Sequence, residues 1–130
     1  MRVALDTNVV VRLLVADDES QALAARQVLM EADQIVIPTV VLCETAWVLK
    51  RSYRYPSSTL AEALRRLIQL NGVEVDRPVV EAGLDFLEQG GDFADGCILY
   101  ASHQARCETL LTFDRALVAM SRGGARVLEP

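Results

Sequence analysis

Short apolar runs alternate with amphipathic helical patterns along the whole chain, and this alternation is the strongest constraint on its fold. The runs have the composition of buried strands and lie at residues 1–5, 34–37, 73–75, 109–112 and 126–128. Because a helix separates each run from the next, successive strands are expected to pair in parallel. We predict an α/β fold with a mostly parallel central sheet of four to five strands, flanked by helices on both faces.

The length and composition predict one domain over residues 1–130. The chain has 130 residues, of which 52% are hydrophobic, and it contains no repeat or linker. No apolar segment approaches the roughly 20 residues that span a bilayer, and the beginning of the chain does not have the pattern of a signal peptide. We therefore expect a cytoplasmic protein that does not use a membrane.

The cysteines and the single histidine do not suggest a soft-metal site. Cys43, Cys97 and Cys107 are odd in number and form no C-x-x-C pair, which favours small buried side chains in a reducing compartment. His103 is the only histidine, so a zinc site of His and Cys ligands is not expected. We expect His103 to lie at the surface.

Four carboxylates stand out by their positions relative to the predicted strands and helices. Asp6 directly follows the first strand, and Asp114 follows the fourth strand within two residues. Glu44 lies in the second turn of the helix after the second strand, and Asp95 lies in the first turn of its helix. Because ligands bind beyond the carboxyl ends of parallel strands, we expect these four acids at that end of the sheet.

Each acid also has a purely structural explanation. Asp6 and Asp114 could cap the helices that follow them, Asp92 and Asp95 could stabilise a helix amino terminus, and Glu44 could be a paired core carboxylate. As a group, however, two carboxylates about 4 Å apart repel by about 4 kcal/mol at an effective dielectric of 20. A hard cation would relieve this repulsion, and Mg²⁺ or Mn²⁺ prefers such oxygen ligands. Such an ion can activate water next to a phosphate.

The net charge does not decide whether the partner is a nucleic acid. The formal charge is −5, with 18 acidic and 13 basic residues. If four acids are gathered around a metal, 14 acidic residues remain against the 13 basic ones. The remaining surface would then be nearly neutral, which neither requires nor excludes a nucleic-acid substrate.

Four segments in this order resemble a PIN domain, and more narrowly a VapC-type toxin ribonuclease of toxin–antitoxin pairs. They cover most of the chain: Leu5-Asp6-Thr7-Asn8, Leu42-Cys43-Glu44-Thr45-Ala46, Asp92-Phe93-Ala94-Asp95-Gly96-Cys97-Ile98 and Leu111-Thr112-Phe113-Asp114. Gly96 and Cys97 depart from the alanine and aliphatic residue that are common in the family. We expect Gly96 to loosen its helix by up to about 1 kcal/mol relative to alanine.

The resemblance implies that an acidic quartet binds one or two Mg²⁺ or Mn²⁺ ions and that a metal-activated water cuts RNA. It assigns supporting roles near the metal to Thr112 and to Thr7 or Asn8. Asp92 is either a further ligand or a helix cap, and its position favours the cap. The quartet consists of Asp6, Glu44, Asp95 and Asp114.

A basic and aromatic segment is the candidate for substrate contact. Lys50, Arg51 and Arg54 alternate with tyrosines, a pattern that could hold phosphates and stack bases. The alternative is a solvated helix end, where basic residues suit the helix dipole.

The resemblance also implies a homodimer and inhibition by a VapB-type antitoxin, which could contact the second and third helices near Trp47.

Two other functions stay open. A PIN-like module could bind RNA or a partner without cutting it. A phosphatase of the haloacid-dehalogenase type also begins with a strand that ends in Asp, but this chain has Asn8 where a second Asp is needed and only one lysine, Lys50.

Overall fold

The structure is a computed structural model that describes all residues from Met1 to Pro130, with seven helices and five strands. No helix is both long enough and apolar enough to cross a membrane. In chain order the elements are β1 (Arg2–Ala4), α1 (Thr7–Leu14), α2 (Glu19–Glu31), β2 (Gln34–Val36), α3 (Thr39–Arg51), α4 (Ser57–Ile68), β3 (Val73–Glu74), α5 (Arg77–Glu88), α6 (Phe93–Gln104), β4 (Leu110–Thr112), α7 (Arg115–Met120) and β5 (Ala125–Val127).

The strands pair only in parallel, which confirms the predicted α/β class. They form a three-stranded sheet in the order β1-β2-β3 and a two-stranded sheet of β4 and β5. The chain divides into two compact units, Met1–Asp76 and Arg77–Pro130, and each sheet belongs to one unit. The prediction of a single domain over 1–130 stays a prediction.

The first unit buries the apolar faces of its helices around β2. Ile35 occupies the middle of β2 and is 1% exposed, with Val3 and Val73 as its neighbours in register. Leu60 and Leu64 repeat at helical spacing on α4, and both are fully or almost fully buried. This periodicity of the sequence accounts for the predicted helices in this unit.

The second unit depends on a close approach of α5 and α6. A Cβ atom added to Gly96 would lie 2.5 Å from the carbonyl oxygen of Ala82 and 2.9 Å from the Cα of Gly83. A Cβ atom added to Gly83 would lie 2.8 Å from the Sγ of Cys97 and from the Phe93 ring. These two glycines therefore allow the helix backbones to lie nearer to each other than alanine would allow.

None of the three cysteines forms a disulfide, as predicted, but they are not all buried. Cys97 is buried in α6, and its thiol lies 3.5 Å from the carbonyl oxygen of Val79. Cys43 is partly buried and Cys107 is exposed. The prediction of burial is wrong for Cys107 because this residue lies beyond the end of α6, in the turn before β4.

Candidate functional site

Asp6 caps the first helix of the first unit. It follows β1 with an extended backbone, and its Oδ1 accepts a hydrogen bond of 2.7 Å from the backbone N–H of Thr7. The Oδ2 atom has no partner within the protein, and the side chain is exposed. The capping role is therefore observed, and one carboxylate oxygen remains free.

Thr7 connects this helix start to Glu44 on α3. The buried Thr7 hydroxyl donates a hydrogen bond of 3.2 Å to Oε1 of Glu44. Glu44 itself is exposed, because its neighbour Thr45 occupies the inward position and bonds back to the carbonyl oxygen of Val41. A contact between residues 37 positions apart thus restrains one of the predicted acids. Asn8 is exposed beside a groove between α1 and α2.

The second unit places three further acids at the starts of α6 and α7. Asp92 caps α6, and its Oδ2 accepts a hydrogen bond of 3.2 Å from the backbone N–H of Asp95. Asp114 caps α7, and its Oδ1 accepts from two successive backbone N–H groups at 2.9 and 3.2 Å. The hydroxyl of Thr112 accepts a bond of 3.0 Å from the N–H of Asp114 and so steadies the turn after β4.

The electrostatics of this cluster act on Asp95. Partial burial raises the pKa of its carboxyl above the usual value, and the negative charges of Asp92 and Asp114 raise it further. Asp92 and Asp114 are therefore close enough to Asp95 to oppose its ionisation. A cation placed near them would favour the charged form of Asp95.

Neither unit brings three or more His, Cys, Asp or Glu side chains into an arrangement that could hold a metal ion. The chemistry of the donors is nevertheless uniform within each unit. Asp6 and Glu44 in the first unit, and Asp95 and Asp114 in the second, offer only carboxylate oxygens. Such donors suit Mg²⁺ or Mn²⁺, and they lack the His and Cys ligands that zinc sites typically use.

The three basic residues of the candidate substrate segment are all exposed. The Nζ of Lys50 donates to the hydroxyl of Ser57 at 3.2 Å, and the guanidinium of Arg51 lies 5.5 Å from the centre of the Trp47 ring. Arg54 has a left-handed backbone with a φ of 57°. The segment is thus a helix end followed by a turn, and its charges face solvent.

A polar network that the sequence did not reveal holds this segment against the first two helices. The Tyr53 hydroxyl donates to Asp17 at 2.8 Å and accepts from Arg12 at 3.4 Å, and Arg12 also pairs with Asp17 at 3.0 Å. Arg12 is the only charged residue of the apolar helix α1, and this is the signal that could have identified it.

The fold and these side chains define an α/β protein with carboxylates directly after its strands and at its helix starts. A PIN domain family model matches residues 3–123, and the chain belongs to the PIN-domain family. Among solved structures the chain is similar to Mycobacterium tuberculosis VapC20, which is described as a Sarcin-Ricin loop cleaving toxin. The two are 18% identical, the match covers 90% of this chain and 93% of that chain, and the TM-score is 0.43. No curated protein matches the chain.

Proposed function

We propose that this chain is a divalent-metal-dependent endoribonuclease that acts as the toxin of a VapBC-type toxin–antitoxin pair. The observation that carries the proposal is membership of the PIN-domain family over residues 3–123, a range that contains all four acids of the quartet. Family membership also argues against the haloacid-dehalogenase type of phosphatase, since that is a different family.

We assign Asp6, Glu44, Asp95 and Asp114 as ligands of Mg²⁺ or Mn²⁺. When bound, such an ion lowers the pKa of a water molecule and neutralises a phosphate oxygen. Helix capping does not compete with this role, because Asp6 and Asp114 each use only Oδ1 for their caps. The Oδ2 atom of each remains able to accept a further ligand.

The neighbouring polar residues are proposed to position these ligands. The Thr7 hydroxyl restrains Glu44, and the Thr112 hydroxyl restrains the backbone of Asp114. Asp92 holds the first turn of α6 through the N–H of Asp95, so we assign it as a cap and not as a ligand. Lys50, Arg51 and Arg54 are proposed to hold the RNA backbone, because all three are basic and exposed.

Thr7→Val is expected to lower the rate of RNA cleavage by about tenfold or more. Valine keeps the shape of the buried side chain but cannot donate to Glu44, and partners of metal ligands typically contribute about 10–100-fold. Initial cleavage rates at saturating Mn²⁺ measure this effect. Thr7→Ser keeps the hydroxyl and is the matched control. Equal rates for the Val and Ser variants would show that the bond to Glu44 has no functional role.

Asp95→Asn is expected to raise the melting temperature of the metal-free protein at pH 7. The pKa of Asp95 is raised in the folded state, so the folded protein binds the carboxyl proton more tightly than the unfolded chain does. At higher pH, where the carboxyl is charged, Asp95 therefore destabilises the folded protein. The gain in stability from Asp95→Asn should therefore be largest at pH values above the pKa of Asp95 in the folded protein. It should disappear as the pH falls below about 3.9, the ordinary pKa of an aspartate. Thermal unfolding from pH 3 to pH 8 measures this difference.

Asp95→Asn also tests whether Asp95 binds the proposed metal ion. Mn²⁺ is expected to raise the melting temperature of the unmodified protein more than that of Asp95→Asn, because binding to the native state adds stability. Glu31→Gln, which changes an exposed acid of α2, is expected to respond to Mn²⁺ like the unmodified protein. A response of Asp95→Asn equal to that of the unmodified protein would remove Asp95 from the proposed ligands.

The proposed partners are a VapB-type antitoxin and a second copy of the chain, and the proposed compartment is the cytoplasm. If an adjacent reading frame encodes a small protein, we expect it to co-purify with this chain and to suppress cleavage. Gel filtration with light scattering measures the oligomeric state. A strictly monomeric chain would contradict the proposed homodimer and leave the nuclease proposal unaffected.

The direct experiment is gel cleavage of total cellular RNA by the purified protein with Mg²⁺, with Mn²⁺ and with a chelator. Asp6→Asn, prepared identically, exposes any contaminating ribonuclease. Discrete metal-dependent products that are absent with Asp6→Asn would support the proposal and identify candidate substrates. RNA that is bound but not cut under every metal condition would favour a PIN-like binding module.

A further inference from the structure

The second unit contains a cavity of about 550 Å³ that runs along α6 from Gly96 to His103. Its walls come from α5, α6, the turn after α6 and the turn between α7 and β5. It lies at the amino ends of β4 and β5, whereas Asp114 follows the carboxyl end of β4. Sites for small ligands have volumes of roughly 300–1,000 Å³, so the cavity is large enough to hold one.

The inner wall of the cavity is apolar and aromatic. Phe86, Leu99 and Met120 line it, and Phe86 is only 8% exposed. The partly buried side chain of Tyr100 lines the cavity beside Leu99. A wall of this composition suits a flat ring that can pack against apolar and aromatic side chains.

The outer part of the cavity carries both signs of charge. The carboxylates of Asp85 and Glu108 lie there together with the imidazole of His103 and the guanidinium of Arg122. All four side chains are exposed, and none forms an ion pair within the protein. A purely anionic ligand would be repelled by the two acids, and a purely apolar one would leave four charged or polar groups without partners.

Helix α6 connects this cavity to the acids. Asp95 lies in the first turn of α6, and Leu99 and Ser102 follow it at i+4 and i+7, on the same face of the helix. Gly96, the residue after Asp95, also lines the cavity, and Ser102 lies about 10 Å beyond Asp95 along the axis at about 1.5 Å per residue. The cavity therefore extends from beside the acids to a distance of roughly three stacked nucleotides at 3.4 Å each.

We infer that this cavity binds an unpaired nucleobase of the RNA, within about three nucleotides of the bond that is cut. The inference rests on the proposed ribonuclease function. A base presents flat faces to the apolar wall and hydrogen-bonding edges to the outer part, and unpaired bases stacked on aromatic side chains are the usual target in RNA. Asp85 and Glu108 accept hydrogen bonds from amino groups, and Arg122 pairs with a phosphate.

The chemistry of the outer part predicts a base preference. Adenine, cytosine and guanine carry amino groups that can donate to a carboxylate, whereas uracil has no amino group and flanks its single N3–H donor with two carbonyl oxygens that repel a carboxylate. Titration of the four nucleoside 5′-monophosphates into the full chain with a chelator, followed by NMR, tests this directly. We expect saturable binding, with UMP at least about fivefold weaker than the best of the other three.

Variants locate the bound nucleotide. Arg122→Gln and Tyr100→Ala are expected to weaken binding by at least about fivefold, and Arg126→Gln, an exposed arginine of β5 outside the cavity, is the matched control. Folding of each variant is checked by its melting temperature. Binding that is lost in Asp95→Asn but kept in Arg122→Gln would place the nucleotide at the acids and overturn the inference.

A second measurement does not depend on any variant. Cys107 is an exposed thiol that lines the cavity, so a bound nucleotide should slow its alkylation by iodoacetamide. Cys43 belongs to the first unit, and its alkylation should be unchanged. Mass spectrometry measures both sites in the same sample. Equal alkylation of Cys107 with and without each of the four nucleotides would overturn the inference.

Cleavage experiments separate this inference from the proposed function. If the chain is a ribonuclease and the cavity binds a base of its RNA, Arg122→Gln should raise KM or change the preferred cleavage positions, while Asp6→Asn abolishes cleavage. If the chain binds nucleotides in the cavity but cuts no RNA, the proposed function fails and the binding site stands. If Asp6→Asn abolishes cleavage and Arg122→Gln cuts the same positions with the same KM, the nuclease stands and the cavity is not part of its RNA site.

Discussion

Asp6→Asn is expected to reduce metal-dependent RNA cleavage by at least about 10²-fold without unfolding the protein. Asparagine caps helices about as well as aspartate, so α1 keeps the cap that Asp6 provides. The variant loses the negative charge that a hard cation requires. Since partners of metal ligands already contribute about 10–100-fold, the loss of a ligand should reach at least the upper end of that range.

The measurement is the initial rate of cleavage of one identified RNA, with thermal unfolding as the test of folding. Glu19→Gln is the matched control, because it removes the same charge from an exposed residue in the first turn of α2. We expect this control to cleave like the unmodified protein. Full activity of Asp6→Asn in protein free of contaminating ribonuclease would show that the quartet is assigned wrongly.

Gly96→Ala is expected to destabilise the protein by about 2 kcal/mol, although alanine is the better helix former by about 1 kcal/mol. The added Cβ would lie 2.5 Å from the carbonyl oxygen of Ala82 and 2.9 Å from the Cα of Gly83. Both are backbone atoms, so α5 and α6 must move apart to accept the methyl group. Overpacking of this kind typically costs about 1–3 kcal/mol.

Urea unfolding of the metal-free protein measures this change. Ala101→Gly is the control, because residue 101 is an exposed position of the same helix where only helix propensity matters. We expect it to lose about 1 kcal/mol. If Gly96→Ala were as stable as the unmodified protein, the close approach of the two helices would be adjustable and the glycine would not be required.

The secondary structure was predictable because the signals that fix it are local. Hydrophobic spacing such as Leu60–Leu64 on α4 identifies a helix face in any context. The caps are equally local, since Asp6, Asp92 and Asp114 bond to backbone N–H groups at most three residues away. The sequence therefore predicted the element order, the parallel pairing and the structural roles of these acids.

The importance of Gly96 was not predictable in this way. The sequence alone suggested a weakened helix, which is the propensity effect of glycine in isolation. The structure shows that the residue faces α5, where a methyl group would meet the backbone. The distance between two packed helices depends on segments that are far apart in the sequence. The hydrophobic pattern of one helix does not predict that distance. Cys107 was expected to be buried but is exposed for a different reason, because it lies in the turn between the end of α6 and β4.

For the candidate site, the order of residues along the chain is enough to place carboxylates after the strands and at the starts of the helices. The contacts between distant segments depend on the folded chain: Thr7 bonds to Glu44 across 37 positions, and Asp114, which follows β4, lies near Asp95 in α6. The two kinds of contact differ in sequence separation. A cap or a hydrophobic stripe is made by residues a few positions apart, whereas the hydrogen bond from Thr7 to Glu44 and the effect of Asp114 on Asp95 require the folded chain to bring distant residues together.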